Sequence, residues 1–284
     1  RERLLAVLGS LIAVGRTSQV FRYGNDAVAK VLGHRVPDHW ASVEASLTAS
    51  VRALGVPAPE VLDITAVDGR PAVIFELIEG PTMWQLMLDD RAAVGSLVHQ
   101  FAEVQRSIHR AGVPDLVPAS VERMGRKIAQ VDVVSETDRR RATDVVQQLP
   151  RGAALLHGDL HPGNILVGPG GLVAIDWFDA SVGHPAADVV RSRLLIGADM
   201  LTDRRHLPGA TDADLQVMQD AYLVEMSDVL EEASDHLDDW IAVTALSRIA
   251  EGTADDVEAL ASRWRDHNAH FDCTVGEDPS AVSC

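Results

Sequence analysis

Cysteine is almost missing from this chain of 284 residues: Cys273 and Cys284 are the only two, and both fall in the last dozen positions. Two thiols so late in the chain exclude a disulfide framework and a cysteine-built zinc site, and they suit a reducing cytoplasm. Long apolar runs are missing too. None reaches the roughly 18–20 residues that a membrane-spanning helix needs, so no membrane partner is expected. Internal repeats and low-complexity segments do not occur. Positive charge is scarce, with 25 Lys+Arg against 42 Asp+Glu and a formal net charge of −17. Such a surface does not draw nucleic acid or anionic lipid and prefers cationic partners. The imbalance is concentrated in residues 201–284, which hold 19 of the acidic residues and 5 of the basic ones.

What is present is the composition of a globular protein: 46% hydrophobic and 24% charged residues supply a large core. The length sits where single cores stop growing and chains divide, and the patterns along the chain favour two lobes. Arg1 and Arg3 ahead of an apolar stretch ending at Val14 have the charge-then-apolar order of a secretion signal. Cleavage near Gly15 would cut into a loop to which a role is given below, so this stretch is expected to stay with the folded chain.

Val20, Phe21 and Tyr23, then residues 27–31, read as two strands around a Gly-Asn-Asp turn. A helix follows from Pro37-Asp38, with Val43, Leu47, Val51 and Leu54 at helical spacing until Gly55. Val61-Leu62 and residues 72–77 read as strands on either side of Asp68-Gly69. Beyond Gly80-Pro81 the pattern turns helical: Val98, Phe101, Val104 and Ile108 mark one helix, and residues 119–148 and 186–271 continue the pattern. One interruption stands out. Residues 165–167 and 172–175 flank Gly168-Pro169-Gly170-Gly171 as a second hairpin among helices.

The densest polar cluster, HGDLHPGN at 157–164, lies just before that hairpin, and AIDWFD at 174–179 just after it. Asp159, Asn164 and Asp176 offer two carboxylates and an amide, hard oxygen ligands of the kind that hold Mg²⁺ together with substrate phosphates. One carboxylate then remains free to take a hydroxyl proton. His157 and His161 also permit a zinc-hydrolase reading, but the His-rich partner segment it needs is missing.

His157, Gly158, Asp159 and Asn164, followed by Ile175-Asp176, resemble the catalytic and metal-binding motifs of the aminoglycoside phosphotransferase family. The resemblance implies an α+β, bilobal, protein-kinase-like fold: a nucleotide-binding lobe over residues 1–79, a small antiparallel sheet with one helix, and a larger, mainly helical lobe over 80–284. It implies ATP (or GTP) as co-substrate and Mg²⁺ as cofactor. Asp159 is then the catalytic base, and Asn164 and Asp176 hold the metal. Lys30, at the end of AVAK and one of only two lysines with Lys127, contacts the nucleotide phosphates and pairs with Glu44. Ser18, in the loop 15–24 over the phosphates, is a phosphate contact, and backbone groups of Glu76 and Ile78 in FELIEG face the purine. His157 and Asp188 support the catalytic loop without doing chemistry.

A protein kinase fits less well, because Gly158 replaces the arginine of His-Arg-Asp, Trp177-Phe178 replaces Phe-Gly and no Ala-Pro-Glu follows. A binding-only pseudokinase is expected to lack at least one of Lys30, Asp159, Asn164 and Asp176, and all four are present. The expected activity is O-phosphorylation of a small molecule. The acidic last third points to a cationic hydroxylated antibiotic, an aminoglycoside or a tuberactinomycin peptide such as viomycin or capreomycin, and hence to resistance. The alternative is a metabolic hydroxyl kinase of amino-sugar, choline or homoserine type. The sequence carries no signal for an oligomeric state.

Overall fold

The structure is a computed structural model and describes residues 8–34, 36–115, 117–197, 207–251 and 257–275. Strands β1 (Leu8–Val14), β2 (Ser18–Tyr23) and β3 (Ala27–Leu32) lead into helix α1 (His39–Ala53), and β4 (Val61–Val67) and β5 (Arg70–Glu76) follow it. The five strands form one antiparallel sheet in the order β1-β2-β3-β5-β4. The expected β2–β3 hairpin is there, and β4 and β5 turn at Asp68-Gly69 with both residues at positive φ.

Alternation along β3 explains where Lys30 points. Ala27, Ala29 and Val31 pack with Ala72 and Ile74 on one face. Val28 and Leu32 pack on the other with Val73, Phe75 and Ala41 and Ala45 of α1. Lys30 shares this second face, so its side chain is delivered to α1. One strand departs from expectation. Residues 8–14, visible in the sequence only as an apolar run behind arginines, form the edge strand β1, with Leu11 and Ile12 half exposed. A strand whose apolar residues sit on both faces in solvent lacks the period-2 signal of a half-buried one.

The second lobe begins with α2 (Met83–Asp89), started by a capping box between Thr82 and Gln85. Then come α3 (Val94–Arg110), α4 (Ser120–Ile128) and α5 (Glu136–Gln148). β6 (Ala154–Leu156), β7 (Ile165–Gly168), β8 (Gly171–Ala174) and β9 (Ser181–Gly183) follow. They pair as two small antiparallel ladders, β6 with β9 and β7 with β8. α6 (Pro185–Ile196), α7 (Asp212–Glu225), α8 (Ser227–Glu232), α9 (Leu237–Ile249) and α10 (Val257–Val275) complete the described chain. The β7–β8 hairpin is the expected one, whereas β6 and β9, three residues each, are too short to leave a pattern in the sequence.

Two apolar clusters meet at α6. Ala186, Ala187, Val190, Leu194 and Leu195 join α4, α5, α9 and α10 in one cluster. Val189 and Ile196 join α2, α3 and α7 in the other. The polar residues Asp188, Arg191 and Ser192, all buried, form the remaining stripe, at i, i+3 and i+4. That stripe lies beneath the 157–164 loop. The link between the lobes is fastened to β7: Val167 N–H donates to Pro81 O at 2.9 Å. A Cβ on Gly80, at φ +148, would lie 2.0 Å from Val167 O.

Candidate active site

The 157–164 loop is held from below by Asp188. Its Oδ1 accepts from Gly158 N–H at 2.7 Å, and Oδ2 faces His157 N–H at 3.3 Å, His109 Nε2 at 3.0 Å and Gln105 Nε2 at 3.2 Å. Burial alone would raise this carboxyl, but the hydrogen bond and charge of His109 outweigh it and hold it below its ordinary value. His157, fully buried, accepts Asp159 N–H on Nδ1 at 3.2 Å and faces Ile175 O with Nε2 at 3.0 Å. Since a carbonyl only accepts, this pairing requires the Nε2–H tautomer. Its ring packs on Trp177 at 4.5 Å between centroids. Gly158, at φ +80, lies so close to the following segment that a Cβ would be 2.3 Å from Asp179 O. No arginine fits there, which is the physical content of the departure from His-Arg-Asp.

Asn164 closes the loop. Its Nδ2 donates to Asp159 O at 2.9 Å, and its carbonyl accepts from Ile175 N–H at 2.9 Å. The NH₂ edge must face the carbonyl of Asp159, so Oδ1 is the edge left for a cation. Asp176 follows β8 in the left-handed region, φ 68 and ψ 63, a conformation that aspartate tolerates better than most residues. Its carboxylate is reached by Lys30 Nζ at 2.9 Å, and Glu44 Oε1 takes the same ammonium at 2.5 Å. Burial would lower the Lys30 ammonium, but the charges of Asp176 and Glu44 raise it above its ordinary value. The expected Lys30–Glu44 pair thus forms, and Asp176 joins it. Phe178 extends the connection, its ring tilted against Trp40 of α1 with centroids 4.4 Å apart.

Asp159 has a partner that the sequence did not reveal. Arg191 Nη2 donates to Asp159 Oδ1 at 2.9 Å and to Glu251 Oε2 at 2.8 Å. Glu251 also receives Lys127 at 2.6 Å, Arg248, and Arg16 at 3.5 Å. Lys127 reaches on to Asp179 at 3.3 Å, where Arg123 also binds at 2.5 Å. Burial would raise the Asp159 carboxyl, yet Arg191 and then His161 hold it well below the usual carboxylate range. Arg248, by contrast, is lowered by burial and then by the like charge of Arg191. Lys127 and Asp179 were visible as residues, but nothing in their spacing linked them to Arg191 or Glu251.

Ser18 is buried at the start of β2, its carbonyl accepting Gly15 N–H at 2.8 Å to close the turn between β1 and β2. At the far side of the cleft, Glu76 N–H is committed to Glu60 O at 2.9 Å. Glu76, Ile78, Asp26 and the 168–171 turn line an open groove of about 500 Å³. Among the described residues there is no group of three or more His, Cys, Asp or Glu placed to hold a metal ion. Nor is any helix among them long and apolar enough to cross a membrane.

A five-stranded lobe joined to a helical lobe, with a lysine–glutamate pair reaching an Asp/Asn/Asp constellation, is the layout of a kinase-like fold. The family model described as "Phosphotransferase enzyme family" matches residues 11–232, and the chain belongs to that family. A Bacillus subtilis (strain 168) relative, the uncharacterized protein YcbJ, is 28% identical over 213 residues, covering 66% of this chain and 69% of its own. Among solved structures, a thermostable mutant of aminoglycoside phosphotransferase APH(4)-Ia, in a ternary complex with ADP and hygromycin B, is similar at TM-score 0.62 and 16% identity. The alignment covers 92% of both chains. A choline/ethanolamine kinase family protein from Mesorhizobium loti is similar at TM-score 0.53 and 18% identity, covering 92% of this chain and 87% of its own. These likenesses establish the kinase-like fold.

Proposed function

We propose that this chain transfers the γ-phosphate of ATP or GTP to a hydroxyl of a small molecule, with residues 1–79 binding the nucleotide and 80–284 carrying the chemistry. The observation that supports it most is the meeting of Lys30, from the sheet lobe, with Asp176, from the helical lobe, beside Asp159 and Asn164 on one pinned loop. The similar aminoglycoside phosphotransferase solved with ADP and hygromycin B supports a nucleotide co-substrate.

Lys30, kept charged and aimed by Glu44, contacts the phosphates, Ser18 helps shape the turn over them, and backbone groups of Glu76 and Ile78 take the purine. Asn164 Oδ1 and Asp176 are the residues that would hold Mg²⁺, whose part is to neutralise phosphate charge; one amide and one carboxylate suit an ion that keeps waters and phosphates as its other ligands. Asp159 accepts the substrate hydroxyl and orients its oxygen toward the γ-phosphorus. As the new P–O bond forms and the bond to the β-phosphate oxygen breaks, the hydroxyl proton passes to Asp159. Because Arg191 keeps Asp159 ionised, it serves late in a loose transition state and as an orienting group.

The reading of the substrate as a cationic antibiotic is supported by the acidic last third and by the likeness to the aminoglycoside phosphotransferase solved with hygromycin B. The alternative is a metabolite alcohol of amino-sugar, choline or homoserine type, phosphorylated by the same residues. Product mass after Mg²⁺-dependent nucleotide turnover, with aminoglycosides, tuberactinomycins and metabolite alcohols as acceptors, separates the two.

A further inference from the structure

The turn between β1 and β2 is tied to the helical lobe by one side chain. Its backbone is fixed on both sides, by Gly15 N–H on Ser18 O and Gly33 N–H on Thr17 O, each at 2.8 Å. Between these ties Arg16 extends to the end of α9, where its Nη1 donates to Glu251 O at 2.6 Å and stands 3.5 Å from Glu251 Oε2. Among the described lysines and arginines of residues 8–79, only Lys30 and Arg16 pair with an acid beyond residue 80. Arg22 and Arg52 pair with Glu79 and Glu76, and Arg70 with Gln19.

Arg16 ends close to Asp159. Contacts of 3.5, 2.8 and 2.9 Å lead from it through Glu251 Oε2 and Arg191 Nη2 to Asp159 Oδ1. The cations that touch Asp176 and Asp159 are both shared, Lys30 with Glu44 and Arg191 with Glu251. Each therefore has little charge left for a γ-phosphate, whose spreading charge in the transition state calls for a further donor. Glu251 can release Arg16 for that part. It keeps Lys127 at 2.6 Å, Arg191 at 2.8 Å and Arg248. Its side chain is 6% exposed against 39% for Arg16, and a pair at 3.5 Å with one partner so open to solvent holds weakly. Arg248, lowered by burial and by the like charges of Arg191 and Arg16, is relieved when Arg16 leaves.

Resting on the phosphotransferase reading above, we propose that Arg16 is a further catalytic residue: when a nucleoside triphosphate binds, it leaves Glu251 and turns its guanidinium onto the γ-phosphate oxygens. Rotation of the side chain makes the exchange, since the backbone of the turn stays tied. A guanidinium offers two parallel N–H groups to two phosphate oxygens, and its charge counts most while the bond to the β-phosphate oxygen breaks. Arg16 takes no proton, which passes to Asp159 as before. A diphosphate has no γ-oxygens, so Arg16 remains on Glu251 when ADP is bound. The same side chain thus separates the charged nucleotide from the spent one.

The test uses the full chain with Mg²⁺ and with AMP-PNP and ADP as paired probes, so that no acceptor is needed. Arg16→Gln should weaken AMP-PNP binding about tenfold or more in an equilibrium titration, and ADP binding hardly at all. Arg16→Lys should recover part of the loss, because it keeps the charge but not the fork. Melting curves without nucleotide report whether the variants fold. A second measurement needs no variant: modification of wild-type Arg16 by phenylglyoxal, read from peptide masses, should slow with AMP-PNP and not with ADP. Equal weakening of both nucleotides by Arg16→Gln, or of neither, overturns the inference while leaving phosphoryl transfer standing. So does modification that AMP-PNP fails to slow. If the wild type binds neither nucleotide with Mg²⁺, the phosphotransferase reading falls, and this inference with it.

Discussion

Asp159 is an acid held ionised, and that determines how it works. A base that must collect its proton early needs a pKa near the working pH, whereas Asp159 is kept far below it by Arg191. On the proposed reading its contribution is orientation and late proton acceptance. Asp159→Asn keeps the shape but not the charge, and turnover should fall about 10²–10⁴-fold, with nucleotide affinity unchanged by equilibrium titration. The pH profile of kcat/KM should show no limb from Asp159 between about pH 5 and 8, because its ionisation lies below that window. Asp176→Asn should behave differently, weakening nucleotide binding only when Mg²⁺ is present. The individual residues of the constellation were legible in the sequence because HGDLHPGN and AIDWFD bring them within twenty positions on two sides of a hairpin. Arg191 and Glu251 were not. They lie 60 positions apart on separate segments, and each alone reads as an ordinary helix charge.

At the level of elements, α6 is the strut on which the 157–164 loop rests, because its one polar stripe is sealed under that loop while its other faces fill two cores. Asp188→Asn should cost about 2–4 kcal/mol, since it replaces an anion that serves several buried donors. Hydrogen exchange should speed first at Gly158 and His157. Gly158→Ala should destabilise by about 2–3 kcal/mol in a denaturant titration, from its left-handed backbone and the contact with Asp179 O. Turn residues and helical periodicity made both hairpins, α1 and α3 readable in advance. β1 escaped because its exposed side chains do not alternate, and β6 and β9 because three residues carry too little pattern. Gly80 and Gly158 were visible as letters, but only the approach of Val167 O and Asp179 O shows why neither tolerates a side chain.

Across the whole molecule, the net charge of −17 conceals an ion-pair network centred on Glu251, which joins α4, α6, α9 and the turn after β1 through Lys127, Arg191, Arg248 and Arg16. A sum over the chain cannot show where its minority charges gather. Burial opposes ionisation of Glu251, Asp159 and Asp188, but Arg191, Lys127 and His109 prevail and depress all three. Carboxyls with folded pKa values below their unfolded ones stabilise the protein above about pH 4, and that stability is lost as pH falls through the folded values. The melting midpoint should accordingly drop steeply below about pH 4. Glu251→Gln should cost about 3–5 kcal/mol at neutral pH and show a shallower acid decline. The central claim is phosphoryl transfer to an alcohol at Asp159, and its most direct test is Mg²⁺-dependent movement of label from γ-labelled ATP or GTP onto an acceptor, wild type beside Asp159→Asn. Label on an alcohol with the wild type and nearly none with the variant is the predicted result; equal labelling by both would contradict it.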